Sequence, residues 1–516
     1  MRSISSISLP MMIGGVNMNA YASSPLLQRL ASLSEEDDRV LVLIQLNGGN
    51  DGLNTIIPLD QYTNLSKARK KILIPENRIT KIKDNLGFHP SMFPLKNMYN
   101  DKKMCIVQDV GYPDANYSHF RSTEIWESAS SSAQFVPSGW LGRYMGKSHP
   151  QFPDGYPNAE NPDPLSITLG AIVSPTCQGQ TVNMGMALLN LEYFHQLLSE
   201  GADEAPDSPF GHELTFLRRT IQQSNAYTES IKKAAGKAKN LSTKYPNNNY
   251  LADQLKVVSH LIAGGLKTKI FVVNLGGFDT HSDQTDKSDP TKGVHSQLLK
   301  MLSEAVDAFQ DDLRLLGLEN KILTMTYSEF GRRVASNDSY GTDHGAAAPL
   351  MLFGTTVNPI VLGKNPTIPD KVTVEDNVYM QYDFRSVYAT VLNQWLGVPK
   401  TTLKELLFEE FDILPLLNER ITPIEDDLAN TDFQLFQNYP NPVTNFTKIK
   451  FKAKSGHIKL SIIDMNGRQV ALLVDKTLPS GENEVSFSPE GLSSGIYTYM
   501  LEQGRQRVSK QMLITR

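Results

Sequence analysis

Through most of the chain the apolar positions arrive in short, β-branched runs instead of strict alternation. They are VLVLIQL (Val40 to Leu46), MCIVQDV (Met104 to Val110), LSITLG around Ile167, IFVVNL (Ile270 to Leu275), ILTMTY (Ile322 to Tyr327) and LMLFG (Leu350 to Gly354). Runs of this kind are how strands buried on both faces of a parallel sheet read. Between them the period changes. HSQLLKMLSEAVDAFQDDLRLLGL sets Leu298, Leu302, Ala305, Phe309 and Leu313 on one face at steps of three and four, and closes at a glycine-containing turn. YLADQLKVVSHLIAGGL and FRSVYATVLNQWLG follow the same rule. Strand alternating with helix predicts an α/β body with a mainly parallel sheet, helices on both faces and right-handed crossovers.

After Trp395 the pattern decays through LKELLFEEFDILPLLNERITPIEDDLANTD, an acidic stretch that reads as a linker. A different grammar follows. FQNYPNP is dense in turn formers, KIKFK and HIKLSIID alternate, Asn466-Gly467 signals a hairpin turn, and GIYTYMLEQGRQRVSKQMLI reads as a last hairpin. These features predict a small C-terminal all-β sandwich. The expected organisation is a leader over 1–24, a body over 36–415, a linker over 416–431 and the sandwich over 432–516.

At 516 residues the chain exceeds one ordinary domain of about 100–200 residues, which supports a large body with an appendage. With 40% hydrophobic and 20% charged residues it has ample material for a core. A net charge of -5, without any Lys/Arg stripe interleaved with aromatics, argues against a nucleic-acid partner. No stretch approaches the roughly 18–20 apolar residues of a membrane-spanning helix, so no transmembrane segment is expected. The N-terminus, MRSISSISLPMMIGGVNMNAYASS, offers Arg2, an apolar patch broken by Pro10 and Gly14-Gly15, and an Ala20-Tyr21-Ala22 cleavage signal. It reads as a reduced signal peptide, as if the start codon lay too far downstream, or as a polar extension. The two cysteines, Cys105 and Cys177, supply no disulfide framework for a fold of this size.

Ligands of open α/β sheets gather beyond the carboxyl ends of the strands. Four apolar runs end in polar clusters: NGGNDGLN with Asp51; GYPDANYSHFRS with Ser118, His119 and Arg121; GGFDTHSDQ with Asp279, His281 and Asp283, followed by His295; and SEFGRR with GTDHGAAAP, carrying Glu329, Arg332, Arg333, Asp343 and His344. Carboxylates and imidazoles drawn from separate strand ends suit a site for divalent cations such as Zn, Mn or Mg. Taken singly, an Asp-Gly after a strand is a turn and an Asp-His pair a surface pair. Their recurrence at one end of successive strands is what points to a site.

LFQNYPNPVTNFTKIKF, LSIIDMNGRQV, LPSGENEVSF, LSSGIYTYMLEQG and the basic VSKQMLITR end resemble the type A C-terminal sorting domain of proteins exported by the bacterial type IX secretion system. The resemblance implies passage through the periplasm to the outer cell surface or medium, with the type IX machinery as partner. A carbohydrate-binding sandwich is the competing reading, with Tyr497 and Tyr499 as either platform or core. In the body, LIQLNGGNDGLNTIIPL, YSHFRSTEIWE, GWLGRY, GGFDTHSDQ, YSEFGRRVASNDSYGTDHGAAAP and DFRSVYATVLNQWLG resemble the domain-of-unknown-function 1501 family. That family is grouped with the alkaline phosphatase and sulfatase superfamily. An alkaline phosphatase-like fold and two-metal transfer of phosphoryl or sulfuryl groups are what the resemblance implies.

Carried over on the same grounds, Asp51 matches a first-strand metal carboxylate and Asp343 with His344 the adjacent Asp-His ligand pair. Asp279 with His281 resembles the other half-site, with His295 a further ligand. Ser118 stands where a nucleophilic hydroxyl is expected, and Arg121 or Arg332 would neutralise the anionic oxygens of a small ester substrate. There are departures. The superfamily supplies one more metal histidine after the Asp-His pair, whereas the next histidine here is His457, inside the sorting module. Neither CIVQD nor CQGQT has the C-x-P-x-R context of a formylglycine sulfatase, and the family's twin-arginine start is missing. The expected function is an exported metal-dependent hydrolase of phosphate or sulfate esters; the rival is a non-catalytic secreted or surface protein that retains the fold.

Overall fold

The computed structural model describes residues 12–13, 16–17, 38–189, 225–418, 433–464, 468–504 and 506–515. The leader's cleavage signal, most of the linker and the Asn466-Gly467 turn lie outside them. The described residues form two compact units, one holding those up to Val398 with Thr402–Asn418, the other those after 432.

The larger unit is built on a nine-stranded sheet. Its strands in chain order are β1 (Val40–Asn47), β2 (Met104–Gly111), β3 (Ser166–Leu169), β4 (Met186–Leu188), β5 (Ile270–Gly276), β6 (Ile322–Tyr327), β7 (Ala348–Phe353), β8 (Val361–Leu362) and β9 (Tyr382–Asp383). They lie in the order β8-β2-β7-β6-β1-β5-β3-β4, and β9 adds to β2 beside β8. Every pairing is parallel except those of β7, which runs antiparallel between β2 and β6. The predicted runs are all strands, and β1 shows why they do not alternate. Val40, Val42, Ile44 and Leu46 enter one core while Leu41 and Leu43 enter the other, so both faces are buried.

Helices cover each face. α1 (Phe93–Asn100), α4 (Tyr250–Ala263) and α5 (Val294–Leu315) pack on the first core, and the predicted α5 stripe of Leu298, Leu302, Ala305, Phe309 and Leu313 is buried there. α2 (His119–Ser128), α3 (Trp140–Ser148) and α6 (Phe384–Thr390) pack on the second, where Trp140 stacks on Tyr388 and Trp126 meets the same ring edge-on. The FRSVYATVLNQWLG segment is α-helical only to Thr390 and continues as a wider π turn over Val391–Trp395. Cys105 and Cys177 are free and buried in the second core, and burial pushes both thiols up to about 12.

The smaller unit has a three-stranded and a four-stranded antiparallel sheet. Ile449 and Phe451 of one sheet share a core with Leu460 and Leu501 of the other, which makes a sandwich. Tyr497 and Tyr499 are core here: Tyr499 is fully buried, accepts from the Asn438 amide at 2.8 Å and donates to the Phe436 carbonyl at 3.0 Å.

Candidate metal centre

β6, β1 and β5 are adjacent and parallel, so their carboxyl ends lie side by side. Because β7 runs the other way, the residues just before it arrive at that same end of the sheet. Four stretches distant in sequence therefore meet, and glycine lets them approach. Gly48 has φ +120, and a Cβ there would stand 2.2 Å from the Asp279 amide nitrogen. Ser328 fastens two of the exits, donating to the Leu46 carbonyl at 2.7 Å and accepting from the Asn50 amide at 3.0 Å.

Arg332 is the hub. Its fully buried guanidinium donates to the carbonyls of Gly48, Gly49 (2.8 Å), Phe278 (3.0 Å) and Thr342 (2.8 Å), and to Asp279 Oδ1 at 2.8 Å. Burial works to raise the Asp279 carboxyl, but Arg332 leads the groups that bring it down to about 2. The same Arg332 pairs with His344 in a two-residue ribbon, Gly331–Arg332 against His344–Gly345.

Around Asp279 stand three imidazoles. His119, the first residue of α2, points Nε2 at Asp279 Oδ2 from 3.4 Å, and that nitrogen is buried without a hydrogen-bond partner. His344 Nε2 is 3.3 Å from Asp279 Oδ1, and so is His281 Nε2. Among the described residues, ligand atoms of His119, Asp279 and His344 all lie within 4.8 Å of one another.

The outer nitrogen of each ring has an oxygen to bind. His119 Nδ1 is 2.9 Å from Glu329 Oε1, itself held by the Gly48 amide at 2.8 Å; His344 Nδ1 is 2.7 Å from the Tyr117 carbonyl; His281 Nδ1 is 3.1 Å from Asp343 Oδ1. A carbonyl or ionised carboxylate only accepts, so all three Nδ1 atoms carry the hydrogen and all three Nε2 atoms present lone pairs inward. His281 Nε2 and His344 Nε2 stand 2.8 Å apart. Two lone pairs facing at that distance need a proton or a cation between them, and burial lowers the His344 pKa, which disfavours the proton. The unpartnered His119 nitrogen and this facing pair fit a divalent cation held by His119, His281, His344 and Asp279.

Of the residues singled out from sequence, Asp279, His281, Asp343 and His344 are brought together, with Asp343 behind His281. Asp51 is not among them. It is fully buried against Arg69 Nη1, 2.9 and 2.6 Å from its two oxygens; burial would raise its carboxyl, and the guanidinium outweighs that to leave it below the usual value. His295 is buried too, 3.0 Å from Asn50 Oδ1. Ser118 is the exposed N-cap of α2, and its hydroxyl makes no cap bond. Arg121 turns away to Glu124 at 3.2 Å and to the carbonyls of Ser131, Ser132 and Gln134. Arg333 binds Glu375, and Glu329 binds His119. His119 was legible only as part of a polar cluster, since its partner Glu329 lies 210 positions away.

Residues 38–407 match the family model described as "Protein of unknown function (DUF1501)". The chain belongs to this family. In this DUF1501 protein, residues 437–515 match the secretion system C-terminal sorting domain, in keeping with the type IX sorting module read from the sequence, and this indicates a secreted or cell-surface protein. No curated protein matches the sequence. Among solved structures, it is similar to a Vibrio parahaemolyticus protein of the alkaline phosphatase superfamily, at 9% identity and TM-score 0.31, covering 92% of this chain and 82% of that one. A sulfatase from Pseudoalteromonas sp. is similar at 10% identity and TM-score 0.32, over 90% of this chain and 86% of that one. PorZ, a surface component of the type-IX secretion system of Porphyromonas gingivalis, is similar at 17% identity and TM-score 0.13; the match spans 18% of this chain and 13% of PorZ. Among the described residues no helix is long and apolar enough to cross a membrane.

Proposed function

We propose that the larger unit is a metal-dependent hydrolase of phosphate or sulfate esters, carried out of the cell by its sorting module. One observation carries the reading: three histidine Nε2 atoms converge on Asp279 while their Nδ1 atoms face Glu329, Asp343 and the Tyr117 carbonyl. An arrangement rich in imidazole suits Zn better than Mn or Mg. A divalent ion bound there supplies Lewis acidity, polarising an ester oxygen and stabilising developing charge. The ester class itself comes from the sequence resemblance.

The chain's own groups do the rest. Glu329 and Asp343 lock two ring tautomers, and Arg332 sets the angle of Asp279 instead of touching substrate. Ser118, exposed and next to His119, keeps its hydroxyl available for attack. Arg121, tied to Glu124 and backbone carbonyls, braces the loop that follows α2. A second reading, a non-catalytic surface protein with one cation, draws on Asp51: the guanidinium of Arg69 stands where a second ion would be needed. Metal analysis of the purified protein, with phosphate and sulfate ester panels on wild type, Ser118→Ala and Asp343→Asn, separates the two. Turnover that needs bound metal and falls in both variants supports the hydrolase; a metal-loaded wild type inert towards both panels leaves the non-catalytic reading.

A further inference from the structure

Beside the histidine cluster, a cavity of about 500 Å³ extends along α2. The helix presents His119, Thr123 and Glu127 at steps of four, one face, with Phe120 and Glu124 alongside. At about 1.5 Å per residue, the eight steps from His119 to Glu127 carry the lobe some ~12 Å from the start of the helix.

Its lining is one-sided in charge. Glu124, Glu127, Asp279 and Glu329 contribute carboxyl groups; Arg121 and Arg332 pair with Glu124 and Asp279 from outside the lining, and Glu127 has no such cation. Glu127 is only 8% exposed, and among the described residues its carboxyl has no hydrogen-bond partner. A carboxyl that meets so little water is poorly solvated as an anion, and where it lines the lobe a cationic ligand group would complete the interaction. Phe120, at 87% exposure, holds an aromatic ring at the rim.

We propose that this lobe receives the cationic end of the substrate, an ester whose alcohol bears an ammonium group seated on Glu127, with Phe120 flanking the chain that leads to it; this rests on the cluster being the ester site. A free anion gains nothing from such a lining, whereas a zwitterion places its anionic end on the cluster and its ammonium in the lobe. The groups that act on Glu127 are Glu124 on its own helix, Glu329 beyond β6, Tyr327 of β6, Tyr388 of α6 and the Cys177 thiol, none of them cationic. Burial, then Glu124 and Glu329, push its carboxyl up to about 8, so an arriving ammonium displaces a proton and binds more tightly as pH rises towards that value.

The test is calorimetric binding to the full chain, using 6-aminohexyl phosphate against hexyl phosphate on metal-loaded protein, and hexylammonium on metal-stripped protein. The amino ester should bind about tenfold more tightly; Glu127→Gln, with an unchanged melting temperature, should abolish that preference, and Phe120→Ala should reduce it about threefold. Hexylammonium should bind the metal-free wild type and lose affinity in Glu127→Gln. If hexylammonium binds, and the amino ester binds metal-loaded protein no more tightly than hexylammonium does, the lobe stands and the ester reading falls. Equal affinity for the two phosphates, a preference that survives Glu127→Gln, or no hexylammonium binding overturns the lobe.

Discussion

Two polar networks occupy the same end of the sheet, and both draw on residues just beyond β1 and β5. In one, Asp51 and Arg69 are wholly buried together, with Gln284, Asn50 and His295 packed around them. In the other, Asp279 stays half exposed beneath His119, His281 and His344. The buried carboxylate already has its cation, a guanidinium supplied by the chain. The open cluster has Arg332 on one oxygen of Asp279 and, on the other side, nitrogen lone pairs facing one another. A buried charge balanced from within is costly to unbalance, while the open cluster leaves nitrogen lone pairs that a cation could bridge.

The comparison breaks first at its buried half. Arg69→Met leaves Asp51 as a lone charge, and the expected loss is about 3–5 kcal/mol of unfolding free energy; urea titration measures it, and adding Asp51→Asn should recover most of it. A milder variant loss, under about 1 kcal/mol, would mean the pair is not what holds these loops.

Acid should attack the buried network too. Burial lowers His89 to about 3 and His295 to about 4 from an ordinary 6.5, so the unfolded chain binds protons that the folded chain refuses. Stability is therefore complete above pH 6.5 and falls as pH drops towards 4, by up to about 1.4 kcal/mol per unit for each histidine. Unfolding curves across that window check the slope, which should halve in His295→Gln.

At the open cluster the readout moves from stability to metal. Glu329→Gln, which loosens the ring of His119, should weaken metal affinity by about 10–100-fold while the metal-free protein melts almost as before. Competition with a chromogenic chelator gives the affinity. Smallest of all is Arg121→Ala: with its guanidinium on backbone carbonyls away from the cluster, it should cost about 1 kcal/mol of stability and leave metal affinity unchanged. A clear fall in metal affinity there would bring Arg121 back to the site.

Much of this was legible without coordinates. The strand runs, the α5 stripe and the change of grammar before the sandwich are periodic, and period is a local property. So was the recurrence of Asp and His after successive strands, because chain exits from a parallel sheet share one edge. Direction was not legible. Asp51 and Asp279 both follow a strand and a glycine pair, NGGND and NLGGFD, yet one turns into the interior towards Arg69 and the other out towards His119. The third imidazole beside Asp279 comes from the opposite direction, from His119 at the start of α2, and not from a position after His344.

The amino-acid sequence alone determined the elements and the two-part organisation, since each rests on spacing within a short window, and the address outside the cell came from its resemblance to a secretion sorting domain. Only the tertiary structure decided which polar residues face one another. Arg69 reaches Asp51 across 18 positions and His119 reaches Glu329 across 210. Those meetings depend on strand order and on the single antiparallel strand that brings His344 to the same edge, and neither is written in any local pattern.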